Sequence, residues 1–427
     1  MSDPMFLAHV VGHRDGPIPL SYALVAGGAA LYASFEAMRL RRHRSRFDQD
    51  SPGRPVPAAL ARVADSAVTR WLLRSLGLVL VGGTAAVAVL DRPGAGNLAL
   101  SLVYVVFWVG LVPASIIFGP VWRALNPLRT VQAVLARLLR RAPEQGFATL
   151  PRWLGYWPAA AGLLAFAWLE LVSPDRLTAG ALVTWFSAYG LIHLVAGMVF
   201  GSEWFAHADA FEVYSALLAR LSPWARRADG RVVLRNPFIN LAALRPSKSL
   251  VAVVAVLLAA TAYDSLSNGS WWKSLEPTAW TGTLGLLGVL AVVALTFTGS
   301  AALSGVLAGR PAVAGRLAHS VLPIAVGYVL AHYLSVFISE LQLVYHFAAG
   351  HGQHATHLAG AGTSVPPALM SVIQVGAVLT GHVLGVVAAH DRAVRLFPGH
   401  VAVRAQLPVF ACMLAYTAGG LVLLYNS

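Results

Sequence analysis

Ten stretches of about 20 mainly apolar residues alternate with short polar segments along the chain, at 18–38, 71–91, 98–119, 153–172, 178–200, 248–266, 279–305, 317–344, 366–389 and 405–425. At roughly 1.5 Å per residue, each spans the ~30 Å of a bilayer's hydrocarbon core as a helix. The pattern predicts an all-α, polytopic integral membrane bundle of about ten transmembrane helices, forming a single transmembrane domain over 1–427. Two polar segments keep a helical period of their own. Residues 126–141 (NPLRTVQAVLARLLRR) put Leu128, Val131, Leu135 and Leu138 on one face with arginines elsewhere, and 209–221 (DAFEVYSALLARL) behave similarly. Basic amphipathic helices of this kind lie along an anionic leaflet, so cytoplasmic interfacial helices are expected at both places.

Composition agrees with the pattern. Hydrophobic residues make up 57% of the chain and charged residues 11%, too few charges to solvate a soluble protein of this length. Lipid bilayer is therefore the expected partner. The formal net charge of +13 would suit nucleic acid, but the basic residues are gathered in short runs between apolar stretches, as in Arg39 to Arg46. That distribution marks cytoplasmic loops, and nucleic acid is not an expected partner. With the amino terminus outside, 27 of the 31 Lys and Arg residues fall on the inner side, leaving Arg14, Arg92, Arg176 and Lys273 outside. The expected placement is a multi-pass protein of the bacterial inner membrane with both termini extracytoplasmic. The first 17 residues lack the basic region of a cleavable signal, and Cys412, the single cysteine, permits no internal disulfide.

An internal repeat is visible. Phe118-Gly119-Pro120-Val121-Trp122 closes one span and Phe200-Gly201-Ser202-Glu203-Trp204 another, each followed by an interfacial helix containing Ala-Arg-Leu. Trp71-Leu72 and Trp153-Leu154 occupy matching positions at the start of the hairpins. Residues 71–141 and 150–224 are thus expected to be tandem copies of a hairpin with a surface helix.

Ionisable groups inside a span are costly and mark function. Asp91, Glu170, Asp264 and Glu340 each lie near the outer end of the first helix of a hairpin. The first two read as interfacial carboxylates. Asp264 and Glu340 have more polar company and are the candidate catalytic acids. On the eighth span Tyr328, His332, Ser335, Ser339 and His346 share one stripe, which must face a partner helix or a cavity. Ser371, Gln374 and His382 share a side of the ninth, where Gly381 and Gly385 would permit close approach. His193 and His382 lie at similar depth, roughly 22–24 Å from the outer ends of their spans. The loop at 345–365 reads HFAAGHGQHATHLAGAG, with His346, His351, His354 and His357 spaced to converge on one ion; His9 and His13 lie on the same side. Imidazole donors suit Zn, Cu or Ni. The expected metal ligands are therefore His332, His346, His351, His354, His357, His382 and His193, with Zn or Cu as the metal; two histidines without a further motif give haem little support. His207, Asp209 and Glu212 have ligand-like spacing but read as the start of a surface helix, where acids favour the amino terminus.

At AHVVGHRDGPIPL, FGPVWRALNPLRT, VLRNPFINLA, ATAYDSLS and VLPIAVGYVLAHYLSVFISELQ the chain resembles bacterial polytopic membrane proteins described as fenitrothion hydrolases. The likeness is a succession of short patches across most of the chain. It implies cleavage of an aryl phosphotriester at the membrane and carries no catalytic residue set with it. Three functions are then open. One is a metal-dependent hydrolase with His332, Glu340 and Asp264 as ligands or base near the extracytoplasmic face. Another is a transition-metal transporter passing the ion along Glu340, His332, Gln374, His382 and His193. The third is a non-catalytic subunit of a larger membrane complex with other membrane subunits as partners.

Overall fold

The computed structural model describes residues 18–41, 45–48, 50–90, 98–227, 229–310, 313–349, 365–397 and 401–426. Its main helices, in chain order, are α1 (Leu20–Arg41), α2 (Ala58–Asp65), α3 (Ala67–Leu90), α4 (Leu98–Phe118), α5 (Val121–Leu125), α6 (Pro127–Leu138), α7 (Trp157–Leu171), α8 (Ala179–Phe200), α9 (Glu203–Ala208), α10 (Ala210–Leu218), α11 (Lys248–Asn268), α12 (Ala279–Leu307), α13 (Leu322–Ala348), α14 (Pro367–Leu396) and α15 (Ala402–Asn426). The all-α expectation holds, with one small antiparallel sheet in which β3 (Val232–Leu234) pairs with both β1 (Arg54–Pro55) and β2 (Trp224–Arg226). Among the described residues, eight helices are long and apolar enough to cross a membrane. The stretches expected at 18–38 and 153–172 are helical but fall short of that measure. In α1 the apolar run is diluted by Ser21, Tyr22, Gly27, Gly28, Ser34 and Glu36, and Glu36 pairs with Arg39 at 2.6 Å. α7 has 15 residues, about 22 Å of helix, with Pro158 in its first turn.

The chain divides into two compact units, Ser51–Asn240 on one hand and Met1–Asp50 with Leu241–Ser427 on the other. In the 51–240 unit an aromatic core joins α4, α7, α8 and α10. A π-helical stretch, Ser101–Phe107, interrupts α4, so that the Trp108 N–H reaches back to the Val103 carbonyl at 3.1 Å. Trp108 meets Phe166 at 5.2 Å between ring centroids, and Phe166 meets Phe211 at 5.2 Å. Both offset and edge-on ring pairs of this kind add to the area they bury.

Polar residues in the segments that follow α4 and α8 are built into a closed knot. Gly119 and Gly201 take φ of 88° and 72°, a region open to glycine, and turn the chain out of α4 and α8 into the short helices α5 and α9. Asn126 then caps α6, accepting from the Leu128 and Arg129 N–H groups. Asp209 caps α10 in the same way, accepting from Phe211 and Glu212. The two caps, 83 residues apart, bond to each other through Asn126 Nδ2 and Asp209 Oδ2 at 2.9 Å. Their third helical residues, again 83 apart, form a two-pronged ion pair: Arg129 donates to Glu212 at 2.6 and 2.7 Å. Tyr189 donates a further bond to Asp209 at 3.0 Å. Burial pushes the Asp209 carboxyl above the usual carboxylate range, against the hydrogen bonds that favour its ionised form.

In the other unit α13 and α14 pack backbone to backbone. A Cβ on Gly381 would come within 2.5 Å of the Pro323 carbonyl oxygen, and one on Gly327 within 2.5 Å of that of Ala377. Small residues allow this approach. At the far end of α14, Asp391 accepts from Ser45 Oγ at 2.9 Å and from Arg395 at 2.9 Å, which ties down the stretch that follows α1.

The Arg129–Glu212 pair has a checkable cost. Glu212→Ala leaves a buried guanidinium without its carboxylate and is expected to lower stability by about 3–5 kcal/mol, whereas Arg129→Met with Glu212→Leu recovers most of it. Chemical unfolding of the detergent-solubilised chain measures both; equal losses in the two variants would contradict the pairing.

Candidate functional site

α11 is capped by Ser247, whose hydroxyl accepts from the Leu250 N–H at 3.0 Å, and then runs through an apolar stretch that is almost wholly buried. Its last two turns break that pattern with Asp264, Ser265 and Asn268. On α13, Tyr328 and His332 are four residues apart and share a face, and Tyr333 follows directly. Packing of the two helices brings these six polar side chains into one network.

Asp264 is the hub. Its Oδ2 lies 3.0 Å from His332 Nε2 and accepts from the Tyr333 hydroxyl at 2.5 Å, while Oδ1 accepts from Asn268 Nδ2 at 3.0 Å. On the other side of the imidazole, His332 Nδ1 lies 3.2 Å from Ser265 Oγ, which in turn lies 2.7 Å from the Tyr328 hydroxyl. Asp264, Ser265, His332, Tyr328 and Tyr333 are each 1–4% exposed. With Asp264 as a carboxylate, one orientation of protons runs through the whole network. Tyr328 donates to Ser265, Ser265 to Nδ1 of His332, and Nε2–H of His332 to Asp264, which as a carboxylate only accepts. Carboxylate, imidazole and hydroxyl in that order are the parts of an acid–base relay that can activate the hydroxyl oxygen.

Asp264 and His332 are thus brought into direct contact. Glu340 lies two turns further along α13, about 12 Å on, and is half-buried. His346 is in the last turns of α13, edge-on to Tyr345. His382 donates from Nδ1 to the Val378 carbonyl at 2.8 Å, and its buried Nε2 has no hydrogen-bond partner among the described residues. His193 belongs to the 51–240 unit, where its Nδ1 accepts from Trp204 Nε1 at 3.0 Å and its ring lies over Tyr189. His351, His354 and His357, with His9, His13 and Asp91, lie outside the described residues. Among those described, no three His, Cys, Asp or Glu side chains converge as a metal site would require. The network itself does not fit an ion: both nitrogens of His332 are engaged, and Oδ2 of Asp264 faces His332 and Tyr333. Asp209 and Glu212, spaced like ligands, are a helix cap and an ion-pair partner.

No protein-family model matches the chain, and no curated protein or solved structure is significantly similar to it.

Removing the hub tests the network. Asp264→Leu takes the carboxylate acceptor from His332 and Tyr333, while Asn268 keeps its bond to the residue-264 carbonyl, and about 1–3 kcal/mol is expected to be lost for each donor left buried and unpaired. Asp264→Asn, which keeps one carbonyl acceptor, is expected to lose less. Thermal unfolding in mild detergent gives the order; a leucine variant as stable as the parent would contradict it.

Proposed function

We propose that the chain is a bacterial inner-membrane hydrolase of about ten spans, with both termini extracytoplasmic, that cleaves aryl phosphotriesters at the Asp264–His332–Ser265 relay. The observation that supports this is the unbroken series of hydrogen-bonding contacts linking Tyr328, Ser265, His332 and Asp264. The ester class comes from the resemblance to proteins described as fenitrothion hydrolases, and the orientation from the crowding of Lys and Arg on one side. α1 and α7 supply the two spans beyond the eight long apolar helices, α7 as a short, tilted or partly embedded segment.

In this reading Ser265 Oγ attacks phosphorus as its proton passes to His332 Nδ1. The new O–P bond forms and the P–O bond to the aryl group breaks, and His332 returns the proton to the departing aryloxide. Water, deprotonated by the same nitrogen, then displaces Ser265, releasing the dialkyl phosphate and restoring the serine hydroxyl. Asp264 stabilises the imidazolium formed in each half and holds the ring in the required tautomer. Ser265 is 1% exposed, so the ester reaches it when the outer ends of α11 and α13 part. Apolar triesters concentrate in the bilayer that surrounds them.

Transition-metal transport is the second reading, and His382 is the observation that favours it. Its buried Nε2 presents a lone pair, without a hydrogen-bond partner among the described residues, on a helix packed against the one that carries His332. Imidazole nitrogen is a ligand for Zn or Cu.

Purified chain mixed with an aryl diethyl phosphate is expected to release one equivalent of aryloxide in a burst and to gain the mass of one diethylphosphoryl group. Ser265→Ala abolishes the adduct, and His332→Ala slows the burst by about 10²–10⁴-fold. Absence of both burst and adduct in the parent overturns the hydrolase. Zinc uptake into proteoliposomes that depends on His382 would then put transport in its place.

A further inference from the structure

The 51–240 unit gathers four arginines where α3 meets α6. Contact between these elements is close: a Cβ on Gly77 of α3 would fall 1.7 Å from the carbonyl oxygen of Leu125, just ahead of α6. Arg70 and Arg74 lie on the first turns of α3, and Arg129 and Arg137 on α6. The guanidinium of Arg74 is partly withdrawn from solvent and shares its surroundings with Arg137, Arg70 and Arg129. Of the acids nearby, Glu212 is taken by both prongs of Arg129 and Asp65 by Arg226 at 2.5 Å. Among the described residues Arg137 bonds to the carbonyl of Ala133, and Arg74 lies over the face of Trp71.

Arg129 is paired with Glu212 and Arg70 stands in the field of Asp65, which leaves Arg74 and Arg137 to attract a further anion. Around the cluster Trp71 is 49% exposed, Leu72 65%, Val134 44% and Leu138 73%, an apolar rim beside a cationic centre. That pairing matches a molecule with an anionic head and a hydrocarbon tail. Arginine forks hold phosphate oxygens two at a time, and basic residues at the base of a span attract anionic lipid at about 1 kcal/mol each.

We propose that Arg70, Arg74 and Arg137, with Arg129 behind them, form a binding site for the phosphate headgroup of an anionic glycerophospholipid of the cytoplasmic leaflet, its acyl chains lying along Trp71, Leu72 and Leu138. The site rests on the membrane reading of the chain and not on the hydrolase chemistry, so either can fail alone.

The test places the full chain in nanodiscs of phosphatidylcholine doped with phosphatidylglycerol and counts retained lipid by native mass spectrometry. The parent is expected to retain phosphatidylglycerol selectively. Arg74→Gln with Arg137→Gln is expected to cut that selectivity roughly 30-fold, about fivefold for each arginine. Arg123→Gln with Arg140→Gln removes the same charge from exposed positions outside the cluster and is expected to leave selectivity intact. In phosphatidylcholine alone the Arg74/Arg137 variant should unfold no earlier than the parent, because repulsion is relieved. Equal loss in both double variants, earlier unfolding of the cluster variant in phosphatidylcholine, or displacement of the lipid by millimolar inorganic phosphate would each overturn a headgroup site.

Discussion

A carboxylate enclosed by apolar helices has to find all of its hydrogen-bond donors inside the protein, because neither lipid nor packed side chains supply any. Asp264 meets that demand with an imidazole, a phenol and an amide drawn from two helices. Asp209 meets it with two backbone N–H groups at the start of α10, a phenol and the amide of Asn126. Each acid therefore fixes the register of the helices around it. In the case of Asp264, the same network continues through His332 to a serine and a tyrosine.

The two units answer the constraint differently. The knot around Asp209 and Glu212 joins residues that recur at one spacing, cap to cap and third residue to third residue, with Arg129 closing the charge. Ser115 and Ser215 share a bond at 2.8 Å and Gln132 donates to the Gly197 carbonyl at 3.3 Å, two further links between the same segments. Every polar group of the central pair is matched, as expected of an architectural element. The Asp264 network instead runs through a hydroxyl, Ser265, that stands between the Tyr328 hydroxyl and the His332 imidazole.

Much of this was legible in the sequence, for identifiable reasons. Apolar runs of the right length gave α3, α4, α8 and α11 to α15, since length and hydropathy alone decide them. The helix within 153–172 is shorter than the apolar stretch around it, because Pro158 lies in its first turn and the chain leaves the helix at Val172. Asp264 and His332 stood out as ionisable groups in apolar surroundings. Ser265, Asn268 and Tyr333 did not. Serine and asparagine near a span's end are common, and Tyr333 lies off the stripe that holds Tyr328 and His332; only the rotation of α11 against α13 brings them in. The partnership of Arg129 with Glu212 was hidden for the same reason, although Phe118-Gly119 and Phe200-Gly201 repeat at 82 residues, one short of the spacing of the caps.

In the proposed relay His332 carries its proton on Nε2, pointing to Asp264, and keeps the Nδ1 lone pair for Ser265. Nitrogen NMR of ¹⁵N-histidine-labelled chain in lipid, with His332→Gln to assign the signals, reads this directly. The account predicts one imidazole with a protonated Nε2 and an unprotonated, hydrogen-bonded Nδ1, shielded from exchange with water. A proton found on Nδ1, or an imidazole that exchanges freely with solvent, would contradict it.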